Sequence, residues 1–116
     1  MLSESSIAFL KRLLDTPGPS GFESAPAKVW RDEARAFAEV TNDVAGNSMA
    51  VVNPNGTPTI MLAGHIDEIG VIDSRTIDFP NNCIVSRSID DRIGAFIVLE
   101  ALRRYSEEPG SARVVG

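Results

Sequence analysis

The chain has 116 residues, a formal net charge of −5, 43% hydrophobic residues and 23% charged ones, the balance of an ordinary globular protein with a modest core in one domain. Its basic residues are not clustered, which argues against a nucleic-acid surface, since that needs a lysine- or arginine-rich face. No apolar run approaches the roughly 20 residues that span a bilayer, and no basic-then-apolar leader opens the chain.

Cys83 is the only cysteine. It can form no internal disulfide, so a reducing compartment is the default and the protein is read as cytoplasmic. Cys83 itself reads as a small buried apolar residue.

The first helix is expected over about Ser5 to Asp15, where Ile7, Leu10 and Leu14 recur at helical spacing with Phe9 and Leu13 alongside. Ser3 is placed to cap it, and Pro17-Gly18-Pro19-Ser20-Gly21 stops it, because proline cannot continue the hydrogen-bond ladder. A second helix is expected from about Ser24 to Ala38, with Pro26 in its first turn, where a missing N–H costs nothing. Val29, Trp30, Ala34, Phe37 and Ala38 form its apolar stripe, which gives Trp30 a core role rather than that of a ligand platform.

Short strands are expected at Glu39 to Asp43 and Met49 to Val52, separated by the turn Ala45-Gly46-Asn47-Ser48. Asn53-Pro54-Asn55-Gly56 reads as a hairpin turn. Thr59 to Gly64 is nearly all apolar and reads as a central strand buried on both faces. Ile69 to Ile72 reads as the next strand, Pro80-Asn81-Asn82 as a turn, and Cys83 to Ser86 as a short strand. A third helix is expected from about Asp91 to Ser106, with an apolar face so broad that it implies burial between other elements. Gly94 within it costs about 1 kcal/mol relative to alanine, which points to close packing against a strand. Ala112 to Val115 begins a last strand. The order predicts an α/β fold, a mixed sheet flanked by helices.

The chemistry concentrates at His65-Ile66-Asp67-Glu68-Ile69-Gly70, which holds the only histidine. A lone histidine is commonly structural. This one ends an apolar strand, the usual place for sites in open α/β sheets, and Asp67 is near enough to hydrogen-bond its ring, as metal-bound histidines require. Alternation along an extended chain puts both side chains on one side. Asp90 and Asp91 either begin the third helix, where acids are favoured, or supply a carboxylate that bridges two cations, with Arg92 neutralising the acid left unbound. Glu68 suits a general base or a solvated turn equally. No GxGxxG or Walker-type loop is present.

Four stretches in order resemble the glutamyl/deblocking aminopeptidase family, cytosolic dinuclear metallo-aminopeptidases of which some members have also been labelled cellulases. Pro17 to Glu23 resembles its "PG-x-SGFE" and Asp43 to Asn47 its "D-x-x-GN". Met61 to Gly70 resembles its "H-x-DEIG", and Ile84 to Gly94 its bridging-aspartate segment. The resemblance implies His65 as ligand of one metal, Asp67 as the catalytic residue that orients it, and Asp90 as the ligand shared by two metals, zinc or cobalt. It also implies a cis bond at Asp90–Asp91. The reaction implied is removal of N-terminal residues from peptides. Two metals about 3.5–4 Å apart polarise the carbonyl and activate a water, with a glutamate as base.

Relatives insert a β-rich assembly domain soon after "H-x-DEIG". Here only about Ile72 to Asn82 spans that gap. They also carry a Glu-Glu pair and a second histidine beyond the strand that begins near Arg113. The chain is therefore expected to be the N-terminal portion of a metallopeptidase catalytic domain, inactive alone. Its partners are a peptide substrate, no nucleic acid and no membrane, and the complete relatives form homo-oligomers. The alternatives are a non-catalytic truncated binding or assembly subunit, whose last strand would leave an unpaired edge, and a glycoside hydrolase, which would need two carboxylates facing across a sugar.

Overall fold

The computed structural model describes residues 2–69 and 75–116. Helix α1 (Glu4–Asp15) starts where expected: the Ser3 side chain accepts the Ser6 N–H at 3.1 Å, satisfying one of the orphan donors of the first turn. Its Phe9, Leu10, Leu13 and Leu14 are buried, whereas Ile7 is exposed. Helix α2 (Ser24–Ala34) ends before Ala38, and Phe37 and Ala38 pack on the core from a turn instead. Trp30 is buried and its indole N–H donates to the Ala95 carbonyl at 3.0 Å, tying α2 to the third helix.

Strands β1 (Glu39–Asn42) and β2 (Ser48–Val52) pair antiparallel across the expected turn. Asp43 holds that turn by accepting the Ala45 and Asn47 backbone N–H groups and the Asn47 side-chain amide. Asn53 to Gly56 does turn the chain, with Asn53 at φ 55°, but it closes no hairpin between neighbouring strands. Strand β3 (Thr59–Met61) leaves that turn and pairs in parallel with the last strand, giving the order β1-β2-β6-β3, where β6 is Arg113–Val115. The last strand is thus internal, antiparallel to β2 on one side and parallel to β3 on the other, and the expectation of an unpaired last strand is overturned.

The expectation for Thr59 to Gly64 is overturned as well. β3 stands at the end of the sheet with Ile60 and Met61 exposed. Only one of its edges is paired among the described residues, so its apolar run is not sandwiched. Cys83 is exposed rather than buried. It begins β5 (Cys83–Val85), which pairs with β4 (Ile77–Phe79) in a separate hairpin turned by Asn81 and Asn82 at positive φ, a conformation asparagine tolerates. β4 was not anticipated. The strand expected from Ile69 to Ile72 lies, beyond Ile69, outside the described residues.

Helix α3 (Ile89–Glu107) is irregular at Asp90 and Asp91 and regular from there on. It packs with α2 against β2, and α1 packs on both helices. Phe9, Leu13, Trp30, Ala50, Val52, Phe96, Leu99, Leu102 and Val114 form the shared core, each large side chain contributing about 1.5–3 kcal/mol on burial. A polar network crosses the same helices. Buried Glu100 accepts the Ser6 hydroxyl at 2.8 Å and pairs with Arg103, which also reaches Glu33 on α2. The fold is the α/β mixed sheet with flanking helices that the element order predicts.

Candidate metal centre

The chain leaves β3 at Met61 and runs on to His65 beside the N-terminal part of α3. Gly64 makes this approach possible: a Cβ there would stand 2.8 Å from the Ala95 nitrogen and 3.0 Å from the Gly94 carbonyl carbon. Close approach of this kind is one use of glycine. Gly94 itself would clash with the Asp91 carboxylate if it carried a Cβ, which is how the helix tolerates its conformational cost. The Asp91 carboxylate accepts the Gly94 N–H at 3.1 Å, so Asp91 caps the regular part of α3.

His65 and Asp67 meet as their alternation predicts. His65 Nδ1 lies 3.1 Å from Asp67 Oδ1, and the other oxygen of Asp67 accepts the Ser20 hydroxyl at 2.7 Å. The Ser20 hydroxyl foremost, and then the His65 ring, hold the Asp67 carboxyl below the usual carboxylate range. On the far side of the ring, His65 Nε2 stands 3.8 Å from Asp90 Oδ1. Asp90 is 95% exposed and His65 57%, so both donors are open to solvent. The Asp90–Asp91 peptide bond is cis, as the resemblance implied.

A tetrahedral ion with bonds of about 2.0–2.2 Å holds its ligand atoms about 3.3–3.6 Å apart. The His65 nitrogen and the Asp90 oxygen are within a few tenths of an ångström of that spacing. The two therefore fit one side of a cation site. Among the described residues no group of three or more histidine, cysteine or acidic side chains gathers to complete it. An open cleft of about 940 Å³ adjoins the His65 side of the pair, bounded by Phe22, Trp30, Met49, Met61 and the segment from Leu62 to Asp67.

Two neighbours differ from their sequence reading. Arg92 does not neutralise an aspartate of the site. It is fully buried and its guanidinium pairs with Glu68 at 3.3 Å. Burial pushes the Arg92 pKa down, and the Glu68 and Asp67 charges oppose that. Glu68 is likewise neither a free base nor a solvated turn residue, since its side chain is 3% exposed and locked in that pair. Ser20, which the sequence reading places only in the loop that stops the first helix, proves to be the hydrogen-bond partner of Asp67.

No family model matches the chain. It is 35% identical over 78 residues to a protein of Thermococcus kodakarensis described as a LysW-lysine/LysW-ornithine hydrolase, covering 66% of this chain and 22% of that protein. Its fold matches a TET aminopeptidase from the marine sediment archaeon Thaumarchaeota archaeon SCGC AB-539-E09 with a TM-score of 0.86 at 19% identity, over 98% of this chain and 58% of that one. PhTET1-12s, solved as a dodecamer in the asymmetric unit, matches with a TM-score of 0.75 at 15% identity, over 98% of this chain and 59% of that one. The chain thus spans about a fifth of the curated relative and under two thirds of each solved structure. The resemblance read from the four motifs agrees with these findings: the chain shares the fold of these aminopeptidase structures and covers part of each.

Proposed function

We propose that this chain carries one wall of a two-metal aminopeptidase site. His65 is a ligand of one ion, Asp90 the ligand shared by both, and Asp67 the catalytic residue that orients the imidazole. The observation that carries the proposal is the approach of His65 Nε2 to Asp90 Oδ1 at 3.8 Å while Asp67 engages the opposite ring nitrogen. With Nδ1–H donated to Asp67, Nε2 keeps its lone pair for a cation on the Asp90 side, the tautomer being assigned from this network. Bound zinc or cobalt, both suited to a nitrogen and oxygen donor set, would polarise a scissile carbonyl and lower the pKa of water.

The names of the relatives, an aminopeptidase and a LysW-lysine/LysW-ornithine hydrolase, support hydrolysis as the reaction class. The reaction is removal of N-terminal residues from peptides, and the adjoining cleft has room for an extended peptide. The assembly domain that relatives insert is absent near 72–82, and the complete protein is a cytoplasmic homo-oligomer that binds neither nucleic acid nor membrane. The dodecamer of PhTET1-12s supports the oligomer. Among the described residues no helix is long and apolar enough to cross a membrane.

Among the described residues only two donors converge, so the 116-residue chain by itself is expected not to release N-terminal residues. Robust metal-dependent release by the purified chain would overturn that part of the proposal. Calorimetric titration with zinc tests the site itself. His65→Ala is expected to abolish the binding, and Asp67→Asn to weaken it about 10–100-fold. Equal affinity of wild type and His65→Ala would sink the assignment. A second reading, a non-catalytic assembly module, is favoured by the exposed Ile60 and Met61 on the end strand. It predicts a folded chain indifferent to metal.

A further inference from the structure

We propose that Arg92 is the positioning residue of this site, a buried bolt that sets His65 and Asp67 against Asp90. The inference rests on the metal reading for what the geometry serves, and on its own contacts for how the geometry is held.

Arg92 follows Asp90 by two residues, but its guanidinium is buried where the Asp90 side chain is exposed. Its Nε donates to the Ile66 carbonyl at 3.0 Å. Ile66 is the residue between His65 and Asp67, so this bond anchors the backbone that joins them. One terminal nitrogen donates to the carbonyls of Leu13 and Leu14 at 3.0 and 3.2 Å and to that of Thr16, at the end of α1. The other reaches the Gly18 carbonyl at 3.5 Å and the Glu68 carboxylate at 3.3 Å.

Glu68 extends the bolt. Its carboxylate accepts the Gly18 N–H at 3.3 Å, and its main chain pairs with the same loop through Ser20 N–H to Glu68 O at 3.0 Å and Glu68 N–H to Gly18 O at 3.3 Å. That pairing delivers the Ser20 hydroxyl to Asp67. A single side chain on α3 therefore holds three segments in register: the end of α1 with the Pro17–Gly21 loop, the His65–Asp67 segment, and the Asp90 turn that Arg92 itself follows. Gly18 is part of the fit, since a Cβ there would lie 2.6 Å from the Arg92 guanidinium.

Lysine cannot replace this arrangement. Its ammonium is a point charge with three donors and lacks the planar fork that reaches separate carbonyls at once. Arg92→Lys keeps the charge opposite Glu68 and loses the geometry, which makes it the informative variant.

His65 is the only histidine in the chain, so its imidazole gives one set of ring signals in long-range proton–nitrogen NMR. At alkaline pH the wild type is expected to show two well-separated ring nitrogens, the signature of a locked Nδ1–H tautomer. In Arg92→Lys, at a temperature where thermal unfolding shows it folded, the separation is expected to collapse toward that of free imidazole. Zinc affinity is expected to fall at least about tenfold. A folded Arg92→Lys with wild-type separation would overturn the proposal, as would a wild type with no separation. If Arg92→Lys does not fold, Glu68→Gln decides. It keeps the shape and the acceptor for Gly18, and a reduced separation supports the bolt while an unchanged one refutes it. A collapse in Arg92→Lys together with a wild type that binds no zinc would leave the positioning role standing and remove the metal reading.

Discussion

Gly64→Ala tests whether the approach of the His65 segment to α3 is as close as the structure has it. The added Cβ would meet the Ala95 nitrogen at 2.8 Å, the Gly94 carbonyl carbon at 3.0 Å and the Ala95 Cα at 3.2 Å. All three are main-chain atoms of a packed helix, so no side chain can rotate away and the segment itself must retreat. Overpacking of this kind costs about 1–3 kcal/mol. With an unfolding entropy of about 2.1 cal/mol/K per residue, each kcal/mol lowers Tm by about 4 °C in a chain of this length. The expected loss is therefore about 4–12 °C by calorimetry. Gly21→Ala is the control, because a Cβ at Gly21 meets nothing within 4 Å and only its φ of 89° opposes the change. That backbone penalty is about 1–2 kcal/mol, so Gly21→Ala should lose about 4–8 °C and, unlike Gly64→Ala, leave the His65 ring signals unchanged. A Gly64→Ala variant that melts within a degree of wild type, with unaltered His65 signals, would refute the close approach.

Leu99→Ala removes a fully buried side chain from the shared core and is expected to cost about 2–5 kcal/mol by urea denaturation; a cost below 1 kcal/mol would contradict the packing described. Asn47→Ala removes the side-chain bond that, with the Asn47 and Ala45 backbone N–H groups, holds the Asp43 carboxyl below its usual range. A depressed carboxylate contributes stability that is present above its ordinary pKa and lost as pH falls through the lower, folded value. The Asp43 titration is therefore expected to move up in Asn47→Ala, and the stability gap between variant and wild type to close as pH falls through the wild-type value. Carbon NMR of the carboxyl and urea midpoints across pH check both.

Much of the helical layer was legible because its signals are local. Ser3 caps α1 and Trp30 lies on the buried stripe of α2, both readable within a few residues. The sheet order was not, because β6 enters between β2 and β3 from some 50 residues away, and nothing in the Asn53–Gly56 turn announces it. The apolar run from Thr59 read as doubly buried because composition reports hydrophobicity and not which edge is paired. At the site, the alternation that put His65 and Asp67 on one side also puts Glu68 on the other, facing inward. Read that way, Glu68 needed a buried cation, and Arg92 was the partner to look for. Charges beside ligand-type residues invite a chemical reading, whereas these two hold the backbone from beneath.

Paramagnetic line broadening tests the central claim most directly, because it locates even a weak cation site residue by residue. Cobalt or manganese added at low stoichiometry is expected to broaden the signals of His65 and Asp90 first, and His65→Ala is expected to abolish that focus. Broadening spread over surface carboxylates such as Asp32 and Asp43, with His65 spared, would contradict the metal assignment.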